Sequence, residues 1–256
     1  MMRNLIRSEV LKTRSTQVWL WMILPAAALT ALSTIGQTYG SIYDNEHGGA
    51  AIRYYDIFTT ANGGGVALLV IGILGLTTEF RHKTITPTLL AIPGRWTLLV
   101  GKAISYAIFA FFYAVICIVV NFAIAIPWLD AKGIPVEFGH GVPGGVVKAF
   151  LALLMTALFG LGLGALVRNQ AAAMVIGIFY FAIISNLLSV IPWVRHWIYP
   201  WSPGGALDAF ISNGTIRNTA DDVHRLAPLN GGLLFLVWTL VLLGAGGYFS
   251  LNRDIS

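Results

Sequence analysis

The stretch ISYAIFAFFYAVICIVVNFAIAI, Ile104 to Ile126, decides the fold. It holds no charged residue, and Ser105 and Asn121 are its most polar members. A helix needs about 20 such residues to cross the hydrocarbon core of a bilayer. Inside that core each backbone N–H and C=O must find its partner within the chain, so an isolated apolar run of this length is read as a transmembrane helix. Five further stretches read the same way: 17–36, 58–78, 149–167, 171–191 and 231–251. The one at 58–78 is the least uniform. Its first third is polar and glycine-rich, and only Gly65–Leu76 is cleanly apolar. Composition agrees. The chain is 57% hydrophobic and 11% charged, against about 25% charged in soluble domains. The expected fold is a single all-α integral membrane domain over residues 1–256 with six transmembrane helices (17–36, 58–78, 104–126, 149–167, 171–191 and 231–251).

Orientation follows from where Lys and Arg fall. With both termini on one side, that side holds Arg3, Arg7, Lys12, Arg14, Arg81, Lys83, Arg95, Lys102, Arg168 and Arg253. The other side holds only Arg53, Lys132, Lys148, Arg195, Arg217 and Arg225, together with most of the acids. Both termini are therefore expected in the cytoplasm, with the long loop Glu79–Lys102. Segments Gln37–Asp56, Trp128–Val146 and Pro192–Asn230 are expected outside. The net charge of +5 then marks a membrane side, and no nucleic-acid partner is implied, because no basic stripe is interleaved with stacking aromatics. Residues 1–16 read as an interfacial amphipathic helix on membrane lipid: Met2, Leu5, Ile6 and Val10 share one face, and Arg3, Arg7 and Arg14 the other. A frayed tail is the alternative. The opening is too long and polar for the n-region of a cleavable signal peptide. The single cysteine, Cys117, excludes an intrachain disulfide and reads as a small buried hydrophobe.

Several chemistries are excluded by what is missing. None of the six expected membrane cores contains Asp, Glu, His, Lys or Arg; Lys148 lies just outside the fourth. Proton- and ion-coupled carriers place such groups inside the bundle. No H-E-x-x-H ligand set exists for a metalloprotease, and His82 and His196 fall in expected loops, away from any serine-type site. The nearest match to a phosphate loop, Gly94 to Ala103, has the wrong spacing and ends in Ala where Ser or Thr would hold magnesium. The chain is thus expected to have no catalytic residue, no metal and no cofactor of its own. Thr30, Ser33, Asn121, Ser185 and Asn186 are candidates for a substrate path, with Thr156 and Thr239 also polar inside spans. Interhelical hydrogen bonding, worth about 0.6 kcal/mol per pair, explains them equally well. Gly160 and Gly164 give a G-x-x-x-G spacing, with Gly162 between them, and Gly72 and Gly75 form a tight face; both suit close helix packing. Asn213-Gly214-Thr215 matches a glycosylation acceptor.

One segment carries more than composition. Thr78-Glu79-Phe80-Arg81-His82-Lys83-Thr84-Ile85, followed by Pro87 and then Ile92-Pro93-Gly94-Arg95, leaves the second span. It resembles the cytoplasmic signature of ABC-2-type transporter permeases, a Glu–aromatic–Arg core with a nearby Thr-Ile and a downstream Pro. Glu9, Lys12 and Arg14 are similar to that family's E-x-x-K-x-R opening, and Leu166-Val167-Arg168-Asn169-Gln170 to its fourth-to-fifth helix turn. His82-Lys83 departs from the family, which often has a small residue before the Thr. The resemblance covers essentially the whole chain. It implies a multi-pass subunit of a cell (plasma) membrane, bacterial in origin, and a cytoplasmic coupling helix. Glu79, Phe80, Arg81, His82, Lys83, Arg168 and Asn169 would engage the motor. It further implies two copies of a cytoplasmic ABC ATPase holding ATP and Mg, and a second permease chain, as homo- or heterodimer. The exported substrate would be amphipathic: a drug, antibiotic, peptide or lipid. Short re-entrant helices in the outer leaflet are implied around Trp193, Trp197 and Trp201, which also read as an aromatic interface belt. A non-transporting anchor, sensor or immunity component with the same fold is the alternative, and an intramembrane enzyme is disfavoured by the missing titratable groups.

Overall fold

The computed structural model describes residues 18–82, 95–139, 141–212 and 226–252, and every regular element among them is helical. Six helices are long and apolar enough to cross a membrane, which makes the chain a multi-pass membrane protein. Helix α1 spans Val18–Gly48 and α2 Tyr54–Arg81. Helix α3 runs over Arg95–Ala131, α4 over Val142–Val167 and α5 over Gln170–Val190. Two short helices follow, α6 (Pro192–Trp197) and α7 (Pro203–Ile211), before the last long one, α8 (Pro228–Asn252). Consecutive long helices alternate in direction, so the bundle has two ends. The basic end holds the start of α1, the end of α2, the α4–α5 turn and the end of α8. The far end holds α6 and α7.

The helices outrun the boundaries that hydropathy sets. The first continues from Gly36 to Gly48, so Gln37–Gly48 is helix where a loop is expected. The third begins at Arg95 and ends at Ala131 instead of spanning 104–126, and the fourth begins at Val142, not Ala149. The second extends from 58–78 to Tyr54–Arg81, while the fifth and sixth shift by one to three residues at their ends. The reason is physical. Apolar composition stops where lipid stops, but i→i−4 bonding continues into the interface. At 1.5 Å per residue, the 36-residue span from Trp96 to Ala131 is about 54 Å long, well beyond a hydrocarbon core of about 30 Å. Lys102 and Lys148 therefore sit inside helices that sequence reading begins after them. The interfacial helix expected over 1–16, Lys83 with the rest of the segment up to Gly94, and Asn213–Thr215 lie outside the described residues.

Helix α4 is the centre of the bundle, packed on α2, α3, α5, α7 and α8. Glycines permit this. A Cβ on Gly72 of α2 would overlap the carbonyl oxygen of Ala157, and one on Gly160 the carbonyl oxygen of Leu69. A Cβ on Gly164 would meet the Ile73 oxygen at 2.7 Å. The G-x-x-x-G pair thus sets the α2–α4 contact at backbone-to-backbone distance. Between α4 and α5 only Arg168 and Asn169 intervene. Asn169 caps α5 by accepting from the Ala172 N–H at 3.1 Å, and Arg168 takes a left-handed conformation at φ 57°. Two long helices are locally irregular: α2 tightens to a 3-10 turn over Thr60–Gly64, and α5 widens to a π turn over Tyr180–Ile184.

Candidate functional site

The two irregular turns border one cavity of about 980 Å³ near the far end. Its lining includes Ser33, Gln37, Thr60, Asn62, Ser185 and Asn186, with Asp208 from α7 and Tyr199 from the 3-10 turn Tyr199–Trp201 before it. Non-ideal backbone at membrane depth is tolerated where it lines such a space, and π turns recur at functional sites. Asn186 Nδ2 donates to the Ala182 carbonyl at 2.9 Å, satisfying an acceptor that the π turn displaces. Asn62 Oδ1 is buried and accepts no hydrogen bond among the described residues. Charges at the rim are compensated: Asp56 lies 3.7 Å from Arg53, and Tyr199 donates to Asp208. Tyr180 accepts from the Gly204 N–H at 3.3 Å, which ties α7 to α5.

Of the five residues expected on a substrate path, Ser33, Ser185 and Asn186 line this cavity. Thr30 and Asn121 do not. Asn121 Nδ2 donates to Thr34 Oγ1 and to the Ile57 carbonyl, each at 2.9 Å, binding α3 to α1 and α2. Thr30 packs fully buried near Gly64 of α2. Asn121 thus fastens three helices, while Thr30 Oγ1 is buried without a hydrogen-bond partner among the described residues. Sequence reading missed Asn62 and Gln37. The run Asn62-Gly63-Gly64-Gly65 inside a span was the available signal, since three successive glycines in lipid are costly unless the backbone must bend or approach a neighbour.

At the basic end the structure brings together residues far apart in sequence. Glu79 is in the last turn of α2, and its Oε1 lies 3.0 Å from Lys102 Nζ of α3, with side-chain exposures of 2% and 1%. Lys102 also donates to the Gly75 carbonyl at 3.3 Å. Read from sequence, Thr78 is the N-cap of a coupling helix, Glu79 lies in its positive first turn, and Arg81 pairs with Glu79 or with an acidic group on the partner; the structure corrects this in two ways. Thr78 is not an N-cap, because its hydroxyl donates to the Leu74 carbonyl and α2 continues through Arg81 to a C-cap at His82. Glu79 therefore sits at the negative end of a helix dipole, not the positive end, and needs the Lys102 charge to offset it. Its partner is Lys102, not Arg81. Lys102 was hidden by its expected place in a loop, although Leu98-Leu99-Val100 before it already reads as helix.

Arg81 instead donates to Gln170 Oε1 at 3.3 Å, and the Arg168 guanidinium stands 6.0 Å from the Phe80 ring centroid. Phe80, Arg81, Arg168, Asn169 and Gln170 thereby line a single cleft of about 580 Å³. His82 is exposed beside it. Helices α2 and α5 each connect the two regions: α2 runs from Asn62 at the cavity to Arg81 at the cleft, and α5 from Gln170 at the cleft to Asn186 at the cavity. Among the described residues, no group of three or more His, Cys, Asp or Glu side chains is arranged to hold a metal ion. Neither a protein-family model nor a curated protein matches this chain.

Proposed function

We propose that the chain is the membrane subunit of an ATP-driven exporter of the ABC-2 type, moving an amphipathic substrate with ATP hydrolysed by a separate subunit. The observation that carries this reading is the shared wiring of cleft and cavity through α2 and α5. A motor pulling on the ends of these helices at Phe80–His82 and Arg168–Gln170 would move the walls of the cavity at Asn62 and Ser185, the rigid-body coupling that such a machine needs. In this reading the basic end is cytoplasmic, the far end faces outward in a bacterial plasma membrane, and α6 and α7 re-enter the outer leaflet. Two ATPase subunits, which hold the ATP and Mg, and a second permease chain complete the assembly. The polar cavity wall supports a substrate with a hydrogen-bonding end, and the surrounding lipid-facing helices its apolar end.

The test is co-expression with an ABC ATPase from the same source, followed by capture and reconstitution. ATP-dependent accumulation of an amphipathic fluorescent dye in inside-out vesicles is expected, with capture of the ATPase lost on Phe80→Asp. Capture without any flux favours the anchor or sensor reading. No capture and no flux overturns the proposal.

A further inference from the structure

The cleft at the basic end has a chemistry of its own, independent of whether the chain transports. We propose that it is a binding site for an anionic phospholipid, whose phosphate lies between Arg81 and Arg168 and whose first acyl methylenes lie on Phe80, Ala171 and Met174.

Charge is the first argument. Arg81 and Arg168 meet at one cleft, and Glu79, two residues before Arg81, is buried against Lys102 on the α3 side of α2. Arg81 makes no ion pair among the described residues and gives Gln170 one hydrogen bond at 3.3 Å. A guanidinium has five N–H donors in a fork that fits phosphate oxygens. The wall is the second argument. Val167, Ala171 and Met174 line the cleft together with Phe80, and α5 continues from there with an apolar exposed face in which Val175 is 66% exposed. A groove that is basic at its mouth and merges with an apolar, exposed helix face matches the headgroup and chains of a phospholipid. Basic sites between membrane helices select anionic headgroups in this way. The third argument is Arg168 itself. Its φ of 57° is the left-handed region that ends helices and usually belongs to glycine. A long cationic side chain kept at a strained position points to use of that side chain.

The full chain is purified in neutral detergent, and its thermal midpoint is followed during titration with dihexanoyl phosphatidylglycerol, dihexanoyl phosphatidylcholine or inorganic phosphate. The phosphatidylglycerol is expected to raise the midpoint, and the other two to leave it unchanged at equal concentration. Arg81→Gln and Arg168→Gly should each raise the half-saturating concentration about fivefold, and the double variant should abolish the response. Arg168→Gly relieves the left-handed backbone, so its midpoint without lipid should match or exceed the wild type, and a lost response cannot be put down to misfolding. An equal response to phosphatidylcholine means annular lipid only, and an equal response to phosphate means a free-anion site; either overturns the proposal. So does an unchanged response in both variants. No response to phosphatidylglycerol overturns it too.

Discussion

Glu79 and Lys102 hold opposite charges 3.0 Å apart with both side chains buried. Desolvation of two buried ions consumes most of their attraction, so the pair adds little net stability, but removing one partner leaves the other without its counter-charge at a penalty of about 3–5 kcal/mol. Glu79→Gln is therefore expected to lower the denaturation midpoint sharply. Combining it with Lys102→Met should restore most of the loss, since neither charge of the pair then remains. Thermal or denaturant unfolding of the four variants in one detergent checks this; additive losses would contradict the buried pair. Asn121 is different in kind. It is neutral, and its amide donates to Thr34 and to the Ile57 carbonyl, fastening α3 to α1 and α2.

At the scale of elements, the α2–α4 contact depends on missing side chains. Gly160→Val puts a branched side chain into the Leu69 carbonyl and should cost about 1–3 kcal/mol or more, because backbone cannot step aside as a flexible side chain can. Gly144→Ala lies in the first turn of the same helix with nothing within 4 Å of its added Cβ, and should be neutral or stabilising by up to about 1 kcal/mol. Thermal midpoints of the two variants, read side by side, separate a packing requirement from a general cost of changing glycine in α4. The spacing of Gly160 and Gly164 made this contact legible in sequence, but not its partner: that α2 receives them through Gly72 follows only from the packed helices.

For the whole molecule, both topology and dependence on a motor can be measured. With Cys117 replaced by Ala, a cysteine at Asn45 should react in intact cells with a membrane-impermeant thiol reagent, and one at His82 should react only after permeabilisation. Asn45 lies at the far end of α1 and His82 just past α2, so the opposite pattern would invert the proposed orientation. The purified chain alone should hydrolyse no ATP, because its nearest match to a phosphate loop, Gly94–Ala103, has the wrong spacing and runs into the body of α3 from Arg95 onward. Nucleotide turnover by the isolated chain would overturn the subunit reading.

The sequence by itself determined the number of membrane helices, their order and the residue types available for chemistry, because lipid demands about 20 apolar residues per crossing and that demand is written locally. It also marked Phe80, Arg81, Arg168 and Asn169 as one group, through motif resemblance. Helix ends escaped it, since backbone hydrogen bonding continues where hydropathy has already changed. Tertiary structure alone decided that Glu79 meets Lys102 and that Ser33, Asn62, Ser185 and Asn186 face a common cavity while Thr30 and Asn121 do not. Which face of a helix meets lipid, a neighbour or an internal space depends on packing against α4. In a chain that is apolar on nearly every face, no local periodicity records that choice.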